Sequence, residues 1–293
     1  MKYLLIFLII LWGCGTEEKI SSRKVEKSSV QKKSAVSSKS YRSDLDSYSV
    51  DNTEADALIR ETLARSEGKI LRNLSDEDDS MIGALCYSGD FRKAFSVADN
   101  NYSAYKKNPG YWNQIGNCYY LMKDYKKAIM FYNKAKGLNS NYIPAQNNLG
   151  VVFQTQGDFK KALYFYKNAV NLGAASKTPR FNLANIYLKF GIISKACGIF
   201  NALAAGSPSD FDIINARANC SLLNRNYAGA VSEFRKISKD ELSNGYIGLN
   251  YSVALSLLGK KEEALNNYKN ISQKGLGSLK SYYRNVGDYL NRM

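Results

Sequence analysis

The chain has no histidine, and only four prolines and five cysteines among its 293 residues. Without histidine there is no Ser-His-Asp or Cys-His nucleophilic site, no imidazole acid–base chemistry and little scope for zinc. Its unbroken apolar run, Leu4 to Trp12, is nine residues long. A bilayer-crossing helix needs about 20. Carboxylates are also scarce. Lys and Arg number 41 against 26 Asp and Glu, a formal charge of +15. What is abundant is apolar and aromatic: 45% of residues are hydrophobic, with 22 tyrosines and 12 phenylalanines. A chain of this composition can bury a large core.

The first residues read as an address. A short positive start, the apolar run and then Leu11-Trp12-Gly13-Cys14 have the order of a secretory leader. The pattern resembles a bacterial lipoprotein signal. That resemblance implies removal of residues 1–13 and lipidation of Cys14, whose acyl chains would anchor the protein. Gly15 stands where aspartate resembles an inner-membrane retention signal, so the expected address is the outer membrane, facing the periplasm. The alternative is an ordinary signal peptide with Cys14 incidental. Residues 14–50 are rich in serine and lysine with almost no large apolar side chain, which reads as a flexible tether. Residues 51–74 are expected to form a helix covering the array that follows.

A fixed period of about 34 residues organises the rest. Ala94, Ala128, Ala162, Ala196, Ala230 and Ala264 mark it at even spacing. Four residues after each come Ala98, Tyr132, Tyr166, Phe200, Phe234 and Tyr268. Twelve residues before each come Ile82, Gly116, Gly150, Ala184, Ala218 and Ser252, mostly small. Within each period two stretches carry apolar residues at helical spacing, such as Tyr111, Ile115, Cys118, Tyr119 and Met122, then Tyr125, Ala128, Ile129, Tyr132, Ala135 and Leu138. Between them Gly89, Gly157, Gly191 or Gly259 suits a left-handed helix end. The next residue, Asp90, Asp124, Asp158 or Asn226, suits an N-cap. All four prolines fall at period junctions. Residues 75–278 thus divide into six helix pairs, 75–108, 109–142, 143–176, 177–210, 211–244 and 245–278. Residues 279–293 read as a capping helix.

This period resembles the tetratricopeptide repeat family, most closely in 109–142, where Trp112, Ile115, Gly116, Tyr119, Ala128, Tyr132 and Ala135 match. The resemblance implies an all-α, right-handed superhelical solenoid with N- and C-terminal capping helices. It also implies a concave groove lined by Asn113, Asn117, Tyr120, Asn147, Asn185, Lys189, Asn215 and Asn219. Amides there would hold the backbone of an extended peptide. The alternative is that the asparagines satisfy neighbouring helices. Val253 stands where a further asparagine would continue the row.

No cofactor, metal or catalytic constellation is expected. The predicted function is that of a membrane-anchored adaptor that holds a segment of another envelope protein. Lipoproteins similar in this repeat serve pilus, secretin and outer-membrane assembly. The alternative is a cell-wall accessory protein that organises peptidoglycan enzymes or binds glycan. Residues 109–293 carry 24 basic and ten acidic groups, a balance that favours acidic partners. DNA suits the charge but not an exported protein. Cys86, Cys118, Cys197 and Cys220 read as small core residues. In an oxidising compartment Cys197 and Cys220, on adjacent helices, are the better-placed pair for a bridge.

Overall fold

The structure, a computed structural model, describes residues 80–243, 245–273, 276 and 279–293. The leader, Cys14, the tether, the 51–74 helix and the start of the first repeat lie outside the described residues. The described residues form fourteen helices and no strand.

The helices come in pairs. These are α1 (Ser80–Tyr87) with α2 (Phe91–Tyr105), α3 (Pro109–Leu121) with α4 (Tyr125–Leu138), and α5 (Ile143–Thr155) with α6 (Phe159–Leu172). Then follow α7 (Lys177–Lys189) with α8 (Ile193–Gly206), and α9 (Phe211–Leu223) with α10 (Tyr227–Phe234). The short α11 (Lys239–Leu242) precedes the sixth pair, α12 (Gly245–Leu257) with α13 (Lys261–Lys269). Helix α14 (Lys280–Asn291) closes the array against α12 and α13. Paired helices pack on each other, and first helices also touch the first helix one repeat on, as α1 does α3 and α9 does α12. The expected pairing and the terminal helix are both present.

The turns follow the residues read from the sequence. Gly89, Gly157, Gly191 and Gly259 have φ between 72° and 85°. Lys123 and Arg225 hold the same left-handed turn at φ 64° and 60°, a conformation that costs a side-chain-bearing residue about 1 kcal/mol or more. Asp90, Asp124 and Asp158 then accept the backbone N–H of Lys93, Lys127 and Lys161 at 3.1–3.2 Å. Asn226 does the same for Gly229 at 2.9 Å. One element was not foreseen. Helix α10 ends after eight residues. Ser238 then turns extended and caps α11, its hydroxyl accepting from the Glu241 N–H.

The facing small and aromatic residues set how closely the paired helices approach. Tyr132, Tyr166, Phe200 and Phe234 are wholly buried. A Cβ on Gly116 would lie 2.5 Å from Cε1 of Tyr132, and one on Gly150 2.6 Å from Cε1 of Tyr166. Where the small residue is alanine, at 184 and 218, the aromatic is Phe200 or Phe234. Tyrosine faces glycine and phenylalanine faces alanine, so volume is conserved across repeats. Gly116→Ala is therefore expected to lower the unfolding free energy by about 2 kcal/mol through overpacking. Gly137→Ala, on α4 with open space around it, is expected to stabilise by about 0.5 kcal/mol through helix propensity. Urea denaturation of the two variants side by side checks both signs.

Candidate functional site: the faces of the repeat array

The nominated groove residues separate into two groups. Asn113, Asn117 and Asn147 are wholly buried, and Asn215 and Asn219 are 8% and 7% exposed. Most of their amides are spent on the next repeat. Asn148 Nδ2 donates to Asn113 Oδ1 at 3.0 Å and to Asn117 Oδ1 at 3.1 Å. Tyr132 Oη also donates to Asn117 Oδ1, at 2.9 Å. Asn147 Nδ2 donates to Asn148 Oδ1 at 3.0 Å, and Asn182 Nδ2 donates to Asn147 Oδ1 at 2.9 Å. Asn250 Nδ2 donates to Asn215 Oδ1 at 3.0 Å, and Tyr282 Oη of α14 donates on to Asn250 at 3.2 Å. Asn219 is buried beside this row, and its Oδ1 has no hydrogen-bond partner among the described residues.

The expectation that Asn113, Asn117, Asn147 and Asn215 face a peptide is corrected; Asn219 is buried beside them without a bond in the row. Their row forms a ladder that joins the first helix of one repeat to the first helix of the next. The ladder also does not stop at Val253, as expected, because Asn250 carries it into the sixth repeat. Burial of an amide is tolerated here because it is hydrogen-bonded. The same burial weakens tyrosine acidity. Burial pushes the Tyr111 hydroxyl, which donates to Ala98 O at 2.9 Å, up to about 12. Burial also holds Tyr132 well above the ordinary tyrosine range.

The cysteines need a second correction. All four are bonded, Cys86 to Cys118 and Cys197 to Cys220. Cys86 and Cys118 lie on α1 and α3, so this bridge, which the sequence reading treated as plain core packing, joins the first repeat to the second. Cys197–Cys220 joins the fourth to the fifth. Every repeat junction thus carries a polar or covalent tie. The ladder serves the second, third and fifth junctions, and the disulfides serve the first and fourth. At the fourth junction the ladder position is taken by Ala216, and Phe181 meets Phe200 edge-on at 5.5 Å within the fourth pair.

The remaining nominated residues stay accessible. Tyr120, Asn185 and Lys189 are half-buried, and two of them, Tyr120 and Lys189, reach the corner between α5 and α6. Tyr120 Oη lies 3.3 Å from Thr155 Oγ1 at the end of α5. Lys189 Nζ sits 4.6 Å over the ring of Phe159 at the start of α6. Asn185 is one helical turn before Lys189 on the same face. A hydroxyl thus reaches one end of the α5–α6 turn and a cation the other, with the Asn185 amide one helical turn back from the cation. Among the described residues no group of His, Cys, Asp and Glu could hold a metal, and no described helix is long and apolar enough to cross a membrane.

The geometry defines the class: a solenoid of stacked, disulfide- and amide-tied helix pairs, a helical-repeat scaffold. Residues 111–175, most of the second and third pairs, match the family model described as tetratricopeptide repeat. No curated protein sequence matches the chain. Among solved structures it is similar to the Cut9–Hcn1 hetero-tetramer of the APC/C, with a TM-score of 0.61 at 16% identity over 82% of this chain and 47% of that one. It thus spans about half the length of that chain. It is also similar to PilF of Pseudomonas aeruginosa, with a TM-score of 0.56 at 12% identity over 83% of this chain and 99% of that one. PilW, a type IV pilus biogenesis factor, matches with a TM-score of 0.54 at 15% identity over 69% of this chain and 97% of that one. At these identities the likeness is one of fold.

Proposed function

We propose that the protein is a non-enzymatic adaptor of the bacterial cell envelope. It is anchored through a lipid on Cys14 in the outer membrane, faces the periplasm and holds an extended segment of another envelope protein. The observation that carries this reading is the corner surface. In an array that spends most of its inner amides on its own packing, Tyr120 and Lys189 reach the two ends of the α5–α6 turn and, with Asn185, remain partly exposed. Lysine there suits an acidic segment, and the surplus of positive charge in 109–293 speeds its encounter. Two disulfides support export, because such bonds persist in oxidising compartments. The fold likeness to PilW and PilF supports a place in pilus or secretion-system assembly.

The test is affinity capture from detergent-solubilised membranes of the source cells, with mass spectrometry of what co-purifies. A Tyr120→Ala, Lys189→Ala double variant should lose at least about tenfold of one partner relative to wild type. Retention of every partner by that variant would overturn the corner as the binding surface. Binding to purified sacculi without any protein partner would favour a cell-wall role.

A further inference from the structure

The second, third and fourth repeats, residues 109–210, contain twelve Lys and Arg and only three carboxylates, with no glutamate. All three carboxylates are helix caps. Asp124 and Asp158 accept from the first turns of α4 and α6, and Asp210 accepts from the Asp212 and Ile213 N–H groups at the start of α9. Two of these caps form side-chain ion pairs, Asp124 with Lys127 and Asp158 with Lys161. No described carboxylate pairs with Lys126, Lys134, Lys160 or Lys167.

Those four lysines lie on the exposed sides of α4 and α6, Lys134 with its ammonium 5.7 Å over the Trp112 ring. In α4 the buried positions are Ala128, Tyr132 and Ala135, and in α6 they are Ala162, Tyr166 and Ala169. The opposite side of each helix is exposed. On α4 it reads Lys126, Met130 and Lys134, and on α6 Lys160, Tyr164 and Lys167. Met130 and Tyr164 hold the same position in successive repeats. At 55% and 61% they are the most exposed large apolar side chains among the described residues. Each stands between lysines.

We propose that this outer face of α4 and α6 docks on an anionic phospholipid surface. Lysines reach outward from their aliphatic stems to phosphates, while Met130 and Tyr164 enter the boundary between headgroup and acyl chain. A purely acidic peptide would match the lysines but leave both apolar side chains in water. A bilayer satisfies both. The inference goes beyond the adaptor reading and does not need it. If Cys14 is acylated, the anchor raises the local lipid concentration at this face.

The experiment is lysine footprinting of the full chain carrying Cys14→Ser. Acetylation by a soluble activated ester is read at each lysine by mass spectrometry. It is run with phosphatidylcholine vesicles and with the same vesicles containing phosphatidylglycerol. The neutral vesicles account for any partitioning of the Leu4–Trp12 run, which does not depend on headgroup charge. Lys126, Lys134, Lys160 and Lys167 should be modified roughly fivefold more slowly with the anionic vesicles. Lys269 and Lys280, in the sixth repeat and the cap, should be unaffected. Raised salt should abolish the difference, and so should Met130→Glu with Tyr164→Glu, two exposed positions whose exchange leaves the core intact. Equal rates on both vesicles would overturn the proposal, as would protection confined to the C-terminal lysines. Protection by a polyglutamate peptide but not by anionic vesicles would assign the face to acidic proteins and overturn it as well.

Discussion

Reduction of the two disulfides is expected to lower the unfolding free energy by about 3.5 kcal/mol for each bridge, the magnitude that the chain-entropy treatment gives for loops of this size. The bridges join cysteines separated by 32 and 23 positions. The effect should also be spatially patterned. In a solenoid, stability is a sum of repeat and nearest-neighbour terms. The bridges sit at the two junctions that the buried asparagine ladder does not reach. Reduction should therefore divide the array into three blocks: the first helix pair, the second to fourth pairs, and the fifth and sixth pairs with α14. Urea denaturation with and without reductant checks the magnitude, and amide exchange checks the pattern. Cys86→Ser with Cys118→Ser should loosen α1 and α2 first, leaving α5 and α6 protected. A single transition unmoved by reductant would show that the bridges contribute nothing to the array.

Asn148→Ala is expected to cost about 3 kcal/mol, because each buried group left without its partner costs about 1–3 kcal/mol. Asn148 donates to Asn113 and Asn117 and accepts from Asn147. Asn133→Ala, on the exposed side of α4, should change stability by less than about 0.5 kcal/mol. Equal midpoints for the two variants would remove the ladder from the account. The result also bears on how binding experiments are read. Asn117 accepts from both Asn148 and Tyr132, so a partner lost by Asn117→Ala can report a loosened array and not a broken contact.

The helix pairs were legible in the sequence because their causes are local. The facing small and aromatic residues, the turn glycines and the capping aspartates all recur at one shared period. Lys123 and Arg225 escaped that logic, because their turns keep the left-handed shape without glycine. The asparagines were misread for a different reason. Groove positions were carried over at Asn113, Asn117 and Asn147, but the residue that buries and bonds them belongs to the following repeat. Asn148, Asn182 and Asn250 stand whole periods apart, a signal present in the sequence. Whether such an amide meets a ligand or the neighbouring helix depends on how near the helices come. Gly116 and Gly150 fix the approach within a pair by admitting Tyr132 and Tyr166, but the spacing between successive first helices follows from packing that no single position announces. The Cys86–Cys118 bridge was likewise concealed. Its two cysteines are nearly one period apart, but bonding depends on the rotation between α1 and α3, which periodicity does not specify. The early end of α10 has no proline or glycine to announce it.

The central claim is a division of labour in which the inner asparagines hold the array and the corner at Tyr120, Asn185 and Lys189 holds the partner. Site-specific photo-crosslinking in the living source cells tests it most directly. A benzophenone amino acid is placed in turn at positions 120, 185 and 189, and at position 113 as the buried comparison. The account predicts that the three corner positions form adducts with one and the same envelope protein and that position 113 forms none. Adducts from position 113, with none from 185 and 189, would contradict it and return the partner to the asparagine row.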